Sequence, residues 1–419
     1  MALPSPSGLQ RAPTAEPGGK ANWLLLVVAA AVAVRVAYVV LVLPHYSPVS
    51  DAHHYHTIAE AVGDGRGLVH PFPFGTPHAT AWRPPLYPLL LGGVYALTGP
   101  KLGAAQVLNV GLGVGVVVLA ALVARRLAGW RAGVVAGALT AIYPPLVFND
   151  GVPLSEPLGL ALLLVTVLLL GDRRTALAGV TSGLLMLTRP SAQFFTAAIA
   201  AWIVWRFGWK KAVVYSVVAT VVVAPWLIRN WVRMDSPVLV TSNGFNLYAA
   251  YSPEARARQQ FVDAVFDRRL AGIRAGITNE AKLDSVLRRR ALHSMADDPA
   301  QVARVGVRNV RDLLELRPSR NDDAEAKDGR DLRLRRLALP LVWVVMATGL
   351  AGLWSLRHSP GVGPLAIAAL VFTGTTALSV FAPRLRAPLE LVCCIGASAL
   401  VAKWWQLRAD GREPVAAAG

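Results

Sequence analysis

Charge is what this chain has least of. Only 16% of its 419 residues are Asp, Glu, Lys or Arg, while 54% are hydrophobic; soluble domains carry about 25% charge. So little polar cover cannot hide that much apolar surface from water, and lipid is the solvent that fits. A string of soluble cores would need segments with one periodic polar face, and the apolar segments lack it. Cysteine is nearly missing. Cys393 and Cys394 are adjacent in an apolar segment, which excludes an ordinary disulfide staple and leaves the redox compartment unread. Acidic residues are outnumbered, 25 against 42 Lys and Arg, for a net charge of +17. No aromatic-basic stripe or binding motif accompanies that excess, so it reads as membrane topology and headgroup contact, not nucleic acid. A small-x-small cleavage site is also lacking after the first apolar run. Arg11 and Lys20 precede the run as in a secretory signal, but it is long, contains Arg35 and leads into His45, Tyr46 and Ser47; it is expected to be retained as a first helix.

What the chain has in abundance is apolar stretches: Trp23–Leu43, Ala104–Ala124, Ala132–Phe148, Leu154–Leu170, Thr175–Leu187, Ser191–Val204, Ala212–Ile228, Leu337–Leu356, Val362–Phe381 and Leu389–Ala402. They predict an all-α polytopic bundle of about ten transmembrane helices. Several fall short of the ~20 residues of a normal span, which tilt and burial in a bundle can accommodate.

The stretch Pro85–Thr98 decides the topology. Read as a short non-spanning helix, it leaves Arg125, Arg126, Arg131, Arg173, Arg174, Arg206, Lys210, Lys211, Arg357, Arg408 and Arg412 on the cytoplasmic side, as the positive-inside bias requires. Both termini are then cytoplasmic. The expected organisation is an N-terminal tail (1–22), a transmembrane catalytic module (23–229) with an outer loop (44–98), an extracytoplasmic insert (230–335), C-terminal helices (336–404) and a cytoplasmic tail (405–419). Fifteen of the 25 acidic residues fall between 231 and 335, among 19 Lys and Arg. There Glu280–Met295 and Pro299–Leu316 alternate apolar and charged positions at helical spacing; the second is suited either to the membrane surface or to packing on a small domain. The polar run Arg320–Arg335 is expected to be a flexible connector.

The outer regions hold the groups able to do chemistry. In SDAHHYHTIAEAVGDGRG, Ser50 or Asp51 can cap a helix over Ala52–Val62; alternatively Asp51 is a general base at the mouth of the bundle. Among the neighbouring His53, His54, Tyr55 and His56, a metal would favour His53 with His56, which share a helical face where His53 with His54 do not; substrate hydrogen bonding and ordinary interfacial polarity compete with it, and no metal is assigned. The prolines after Trp82 and Arg83 impose a fixed bend, and Arg83 suits a phosphate, an acidic side chain or an anchor to the membrane. Asp150 and Glu156 bracket the turn NDGVPLSEP. Glu156 lies just inside an apolar segment, where a carboxylate must find a partner, face a polar cavity or become protonated. Arg229 and Asn230 end the span in PWLIRNW, followed by TSNGFNLYAAY with Asn243, Asn246 and Tyr248; Arg384 and Arg386 stand in FAPRLRAPLE. Arginines outside oppose the usual bias, which either a phosphate ligand or lipid headgroups would explain.

In order, SDAHHYHTIA, GDGRG, WRPPLYPLL, AIYPPLVFNDGVPLSEP, LTRPS, PWLIRNW, SNGFNLY and APRLRAP resemble the GT-C superfamily of multi-spanning glycosyltransferases. The likeness is to bacterial family 39-like members, related to protein mannosyltransferases and to lipid A aminoarabinose transferases. It runs from about Trp23 to Arg386. It implies a GT-C-type bundle with juxtamembrane helices in the bacterial cytoplasmic membrane and an active site on the extracytoplasmic face. It implies a sugar passed with inversion from a polyprenyl phosphate to a hydroxyl of a lipid, glycan or envelope polymer. Asp51 would be the base. Asp150, Glu156, His53, Tyr55 and His56 would shape the acceptor cavity, Arg83, Arg229, Arg384 and Arg386 would meet the donor phosphate, and Asn230, Asn243, Asn246 and Tyr248 would lie nearby. No cofactor is obligatory, although a divalent metal remains open, and the partners are membrane lipids, the carrier-linked sugar and the acceptor. The first loop has no acidic pair like that of the protein mannosyltransferases, which argues against a protein acceptor. A transporter or flippase of lipid-linked glycans, or a noncatalytic assembly scaffold, would also use such a bundle, but a transporter predicts midplane charges and repeated halves that are not evident.

Overall fold

In lipid a chain must satisfy its backbone groups internally, so apolar segments without a polar face become helices. The computed structural model describes residues 22–258, 261, 272–359, 361–379 and 382–410. Of the expected segments, residues 1–21 of the N-terminal tail, 411–419 of the C-terminal tail, 259–260 and 262–271 of the insert and 380–381 of the ninth apolar stretch lie outside the described residues.

The chain opens with α1 (Asn22–Val42) and a juxtamembrane helix α2 (Ser50–Gly63), then a two-stranded antiparallel hairpin, β1 (Val69–His70) with β2 (His78–Ala79). Helix α3 (Leu86–Thr98) runs parallel to α2: Tyr55 meets Tyr87 edge-on, and the glycines Gly63 and Gly92 let the backbones approach further along. At 13 residues, α3 is about 20 Å long and packs on α2. The 41-residue α4 (Leu102–Ile142) turns at Ala128 and Gly129, the latter at φ 85°, and leads through α5 (Pro144–Asp150) into α6 (Glu156–Gly171), α7 (Thr175–Met186), α8 (Ala192–Phe207) and α9 (Trp209–Met234).

Among the described residues five helices are long and apolar enough to cross a membrane: α1, α4, α9, Leu332–Ser355 and the stretch Pro383–Arg408. The sequence had suggested about ten. Two of its stretches form the two halves of α4, on either side of the break at Ala128 and Gly129, and four fold into helices of 12 to 16 residues, which rise about 18–24 Å against ~30 Å of hydrocarbon. The result is an all-α polytopic bundle of long and short apolar helices.

Residues after α9 form a small unit on one end of the bundle: α10 (Asn243–Tyr251), α11 (Pro253–Arg258), α12 (Glu280–Asp297) and α13 (Pro299–Leu313). Trp82, Phe245, Tyr251, Leu283, Leu287 and Val305 make its core. The Glu280 carboxylate ties it to the hairpin, accepting from Thr80 and Thr241 hydroxyls at 2.8 and 2.7 Å and from the Ala81 amide at 3.1 Å.

The flexible connector expected over Arg320–Arg335 is instead an ordered, buried junction. A 3-10 turn (Pro318–Asn321) and α14 (Asp322–Lys327) carry charge inward. Arg330 binds Glu325 through 2.9 and 3.1 Å contacts, and Arg335 reaches Glu315 at 2.6 Å and Asp322 at 2.9 Å. Polarity alone suggested solvent; mutual neutralisation is what lets these side chains leave it.

Two helices close the bundle, α15 (Leu332–Ser355) and α16 (Val362–Ala377), before a 3-10 turn (Pro383–Arg386) and α17 (Ala387–Asp410). Helix α17 is central, with Leu391 through Ile395, both cysteines included, fully buried. It meets α15 through glycines: a Cβ at Gly352 would stand 1.9 Å from the Gly396 carbonyl oxygen, and one at Gly396 2.2 Å from that of Gly349. Small residues are how helices in lipid gain close van der Waals contact. Gly352→Val is expected to lower stability by about 1–3 kcal/mol, the cost of overpacking, read as a lower melting temperature in detergent; Gly103→Val, with open space at its Cβ position, should leave the melt unchanged.

Candidate functional site

Helix α2 begins without the side-chain cap expected of Ser50 or Asp51: Val49 occupies the N-cap position and no side chain bonds the first-turn amides. Ser50 is held at φ 53°, the left-handed region, which non-glycine residues adopt at a cost. The Asp51 carboxylate is thereby left for long-range partners. One oxygen accepts from Arg83 and the other from Arg384, 333 residues away in sequence.

Each arginine is held by further neighbours. Arg83, fixed at the proline bend before α3, also donates to His54 Nδ1 at 3.0 Å and lies over the Tyr55 ring at 5.6 Å; the Tyr55 hydroxyl is 3.0 Å from Ser155 Oγ. Arg384, in the turn before α17, donates to Asp328 at 2.9 Å and has Nε 3.5 Å from Glu156 Oε1. Glu156 is in turn 3.3 Å from Arg189. Three carboxylates and three guanidinium groups therefore form one formally neutral network. Its members come from α2, from the start of α6, from the bend before α3, from the turn before α17, and from the residues just after α7 and just before α15, so it closes one end of the bundle.

Asp51 is the most open carboxylate of the three, its side chain 23% exposed against 4% for Glu156 and 7% for Asp328. Burial alone would raise its pKa, but Arg83 and Arg384 outweigh that and hold it well below the ordinary carboxylate range. Asp328 goes the other way: burial lifts it to about 6 despite Arg384 and Arg330. Burial, with Arg83 adding to it, holds the His54 imidazole down at about 2, and burial keeps His70 at about 4. Burial and close guanidinium groups thus move neighbouring carboxylates in opposite directions. Two buried carboxylate oxygens, Glu156 Oε2 and Asp328 Oδ2, have no hydrogen-bond partner.

The other residues singled out from sequence lie elsewhere. Asp150 pairs with Arg35 of α1 at 2.7 Å, buried, and the Arg35 guanidinium also donates to the Ala141 carbonyl at 2.9 Å. Arg386 belongs to the neighbouring cluster and spends its nitrogens on Glu390 at 2.7 Å, Glu315 at 2.9 Å and the Leu313 carbonyl at 2.5 Å. Arg229 staples the outer loop, donating to the carbonyls of Thr80 at 2.9 Å and Leu68 at 3.1 Å, while Asn230 donates to Val238 at 2.7 Å. Asn243, Asn246 and Tyr248 lie on α10, with the Tyr248 hydroxyl 3.5 Å from Glu254. His53 is exposed; His56 Nδ1 is 2.7 Å from the Tyr95 hydroxyl. Among the described residues no group of three or more His, Cys, Asp or Glu is placed to hold a metal. Sequence reasoning passed over Arg189 and Asp328. Arg189 stood in the quoted LTRPS, a lone arginine between two apolar stretches, and Asp328 sat in the run read as a connector.

No protein-family model matches the chain, and no curated protein sequence matches it. Solved structures do. The crystal structure of the Archaeoglobus fulgidus oligosaccharyltransferase in complex with Zn and sulfate superposes with a TM-score of 0.54, at 16% identity, over 93% of this chain and 50% of that one. The same oligosaccharyltransferase tethered with an acceptor peptide gives 0.52, at 15% identity, over 95% and 51%. The chain shares its fold with the archaeal oligosaccharyltransferase. At this identity the likeness is one of fold, and the chain spans about half the length of the archaeal protein. ArnT from Cupriavidus metallidurans in the apo state aligns over 91% of this chain and 78% of its own, at 15% identity and a TM-score of 0.41, which leaves the comparison of folds resting on the archaeal structures.

Asp150→Asn strands a buried guanidinium and is expected to cost about 3–5 kcal/mol, whereas replacing Arg35 and Asp150 together by leucine should recover most of it in thermal melts. The His54 pKa of about 2 lies below its ordinary value of 6.5, so the unfolded chain takes up that proton first. Its contribution is whole above about pH 6.5 and is lost by about 1.4 kcal/mol per pH unit below it. His54→Gln keeps an acceptor for Arg83 and should narrow the gap between melts at about pH 7.5 and about pH 5.5.

Proposed function

We propose that this protein is an inverting membrane glycosyltransferase that moves a sugar from a polyprenyl-phosphate donor to a hydroxyl of an extracytoplasmic lipid, glycan or envelope polymer. The observation that carries the reading is the partly open Asp51 carboxylate shared between Arg83 and Arg384 at one end of a GT-C-type bundle. The fold of an oligosaccharyltransferase supports it, as does the resemblance of the ordered sequence motifs to family 39-like enzymes. The first loop reads SDAHHYH without an acidic pair, which favours a lipid or glycan acceptor over a protein.

In this reading the acceptor oxygen forms a bond to the anomeric carbon as the bond from that carbon to the phosphate oxygen breaks. The acceptor proton goes to Asp51, and polyprenyl phosphate leaves with the electron pair. Arginine suits the departing group because a guanidinium offers charge-assisted bonds to phosphate oxygens as readily as to a carboxylate. The donor phosphate therefore competes with Asp51 for Arg83 and Arg384. As they turn to it, Asp51 loses the contacts that hold its pKa low and becomes a better base when the nucleophile needs one. Glu156 and Asp328, each with an unpartnered oxygen, are placed to accept from sugar hydroxyls. A prenyl tail would lie along the lipid-facing helices, with its sugar at the charged network.

Purified protein given a panel of polyprenyl-phosphate sugars should release polyprenyl phosphate from one of them in the presence of acceptor, detected by mass spectrometry. Asp51→Asn is expected to lower turnover by about 10²–10⁴-fold, the usual worth of a general base, with the melt retained. Arg83→Gln and Arg384→Gln should raise the KM for donor about tenfold or more, as loss of a charge-assisted bond implies. Full turnover by Asp51→Asn would refute the assignment of the base, and donor crossing the bilayer uncleaved would point to a flippase.

A further inference from the structure

Helix α13 carries a second collection of charge, apart from the Asp51 network. Arg304, Arg308 and Arg311 recur at intervals of four and three and so share one helical face. With Arg256 of α11 and Gln301 they line a cavity of about 520 Å³, and among the described residues lining it none is acidic. Asp298 lies at its edge, 2.5 Å from Arg304 and 3.6 Å from Arg256. Two polar atoms, Gln301 Oε1 and Arg311 Nε, are buried without a hydrogen-bond partner. One neighbouring side of the helix is already taken by packing: Val305, Asn309, Asp312 and Leu313 are buried.

The face next to the arginines is apolar and open, with Val307 67% and Val310 39% exposed. Exposed valines beside a basic cavity would be out of place in water, and their surroundings account for them. Asn309 clamps α13 to the end of α16, donating to the Ala377 and Ser379 carbonyls at 3.0 and 3.1 Å, and Leu378 lies against Gly306. Leu370 on α16 and Leu378 just beyond it are 74% and 53% exposed, so open apolar side chains form a strip across the contact between α16 and α13. Arginines beside open apolar side chains suit the boundary between acyl chains and headgroups.

We infer that the cavity between α11 and α13 binds the headgroup of an anionic phospholipid. Its phosphate is held by Arg256, Arg304, Arg308 and Arg311, and an acyl chain lies along Val307 and Leu378. The charge of the cavity selects against zwitterionic lipids, because a basic pocket close to the membrane surface attracts anionic headgroups by about 1 kcal/mol per residue. The apolar strip selects for a lipid over a soluble phosphate, which would gain nothing from the valines. This site is independent of the transfer reaction proposed for Asp51.

Native mass spectrometry of the full chain, released from nanodiscs of phosphatidylcholine with or without phosphatidylglycerol, tests the assignment. Wild-type protein should retain phosphatidylglycerol in preference to phosphatidylcholine. Arg304→Gln with Arg311→Gln should reduce that retention at least tenfold without moving the melting temperature. Val307→Asp should reduce it too while leaving Arg304 and Arg311 intact, so that a lost fold and a lost site are told apart. Equal retention of both lipids by wild type would overturn the proposal, as would displacement of phosphatidylglycerol by inorganic phosphate at comparable concentration, which marks a free-anion site. Preferential displacement by polyprenyl phosphate would overturn it as well, assigning the cavity to the carrier.

Discussion

One carboxylate divided between two arginines holds the ends of this chain together. Asp51 follows the first long helix and Arg384 precedes the last, and the ion pair between them closes the bundle around everything folded in between. Each partner keeps other contacts, Asp51 with Arg83 and Arg384 with Asp328 and Glu156, so the pair acts more on the arrangement of the chain than on its net stability. The network extending from it through Glu156, Arg189 and Asp328 has the same character: charges that cannot leave individually, held together because they neutralise one another.

A second charged cluster performs a different task a few residues away. Arg330, Arg335 and Arg386 against Glu315, Glu325 and Glu390 bind the insert to α15 and α17. Its acceptors leave little to offer a ligand. Arg384 and Arg386 stand two residues apart on one 3-10 turn, yet one faces a partly open carboxylate and the other a closed cluster. Opening to solvent and an incomplete set of partners separate a site from a staple; charge and sequence position are the same in both.

That distinction explains how far the sequence could be read. Composition made the bundle legible, because a shortage of charge over hundreds of residues has few other solutions. Asp51, Arg83, Glu156 and Arg384 were legible as polar groups at the ends of apolar stretches, and the structure brings all four together. Arg229 and Arg386 carried the same signal and turned out to bind backbone carbonyls or a private set of carboxylates. Charge bias reports that an arginine needs a reason for its place and not what the reason is. Asp328 was hidden because a stretch as polar as Arg320–Arg335 looks solvated unless its partners are known, and those are distant in sequence. The number of long helices was overestimated because hydropathy marks apolar segments, whereas where each helix stops, after 12 to 16 residues in four of them, depends on how the segments pack.

The glycine contact between α15 and α17 has a consequence for movement at the charged end. Gly352 and Gly396 bring the two backbones so near that neither helix can slide or roll without collision, and each leads from one member of the network: Asp328 lies just before α15, Arg384 just before α17. Those two groups are thus mounted on a single stiff post. Asp51 and Arg83 ride instead on the α2–α3 pair beside it. Movement of backbone that parts Asp51 from Arg384 therefore has to come from that flank.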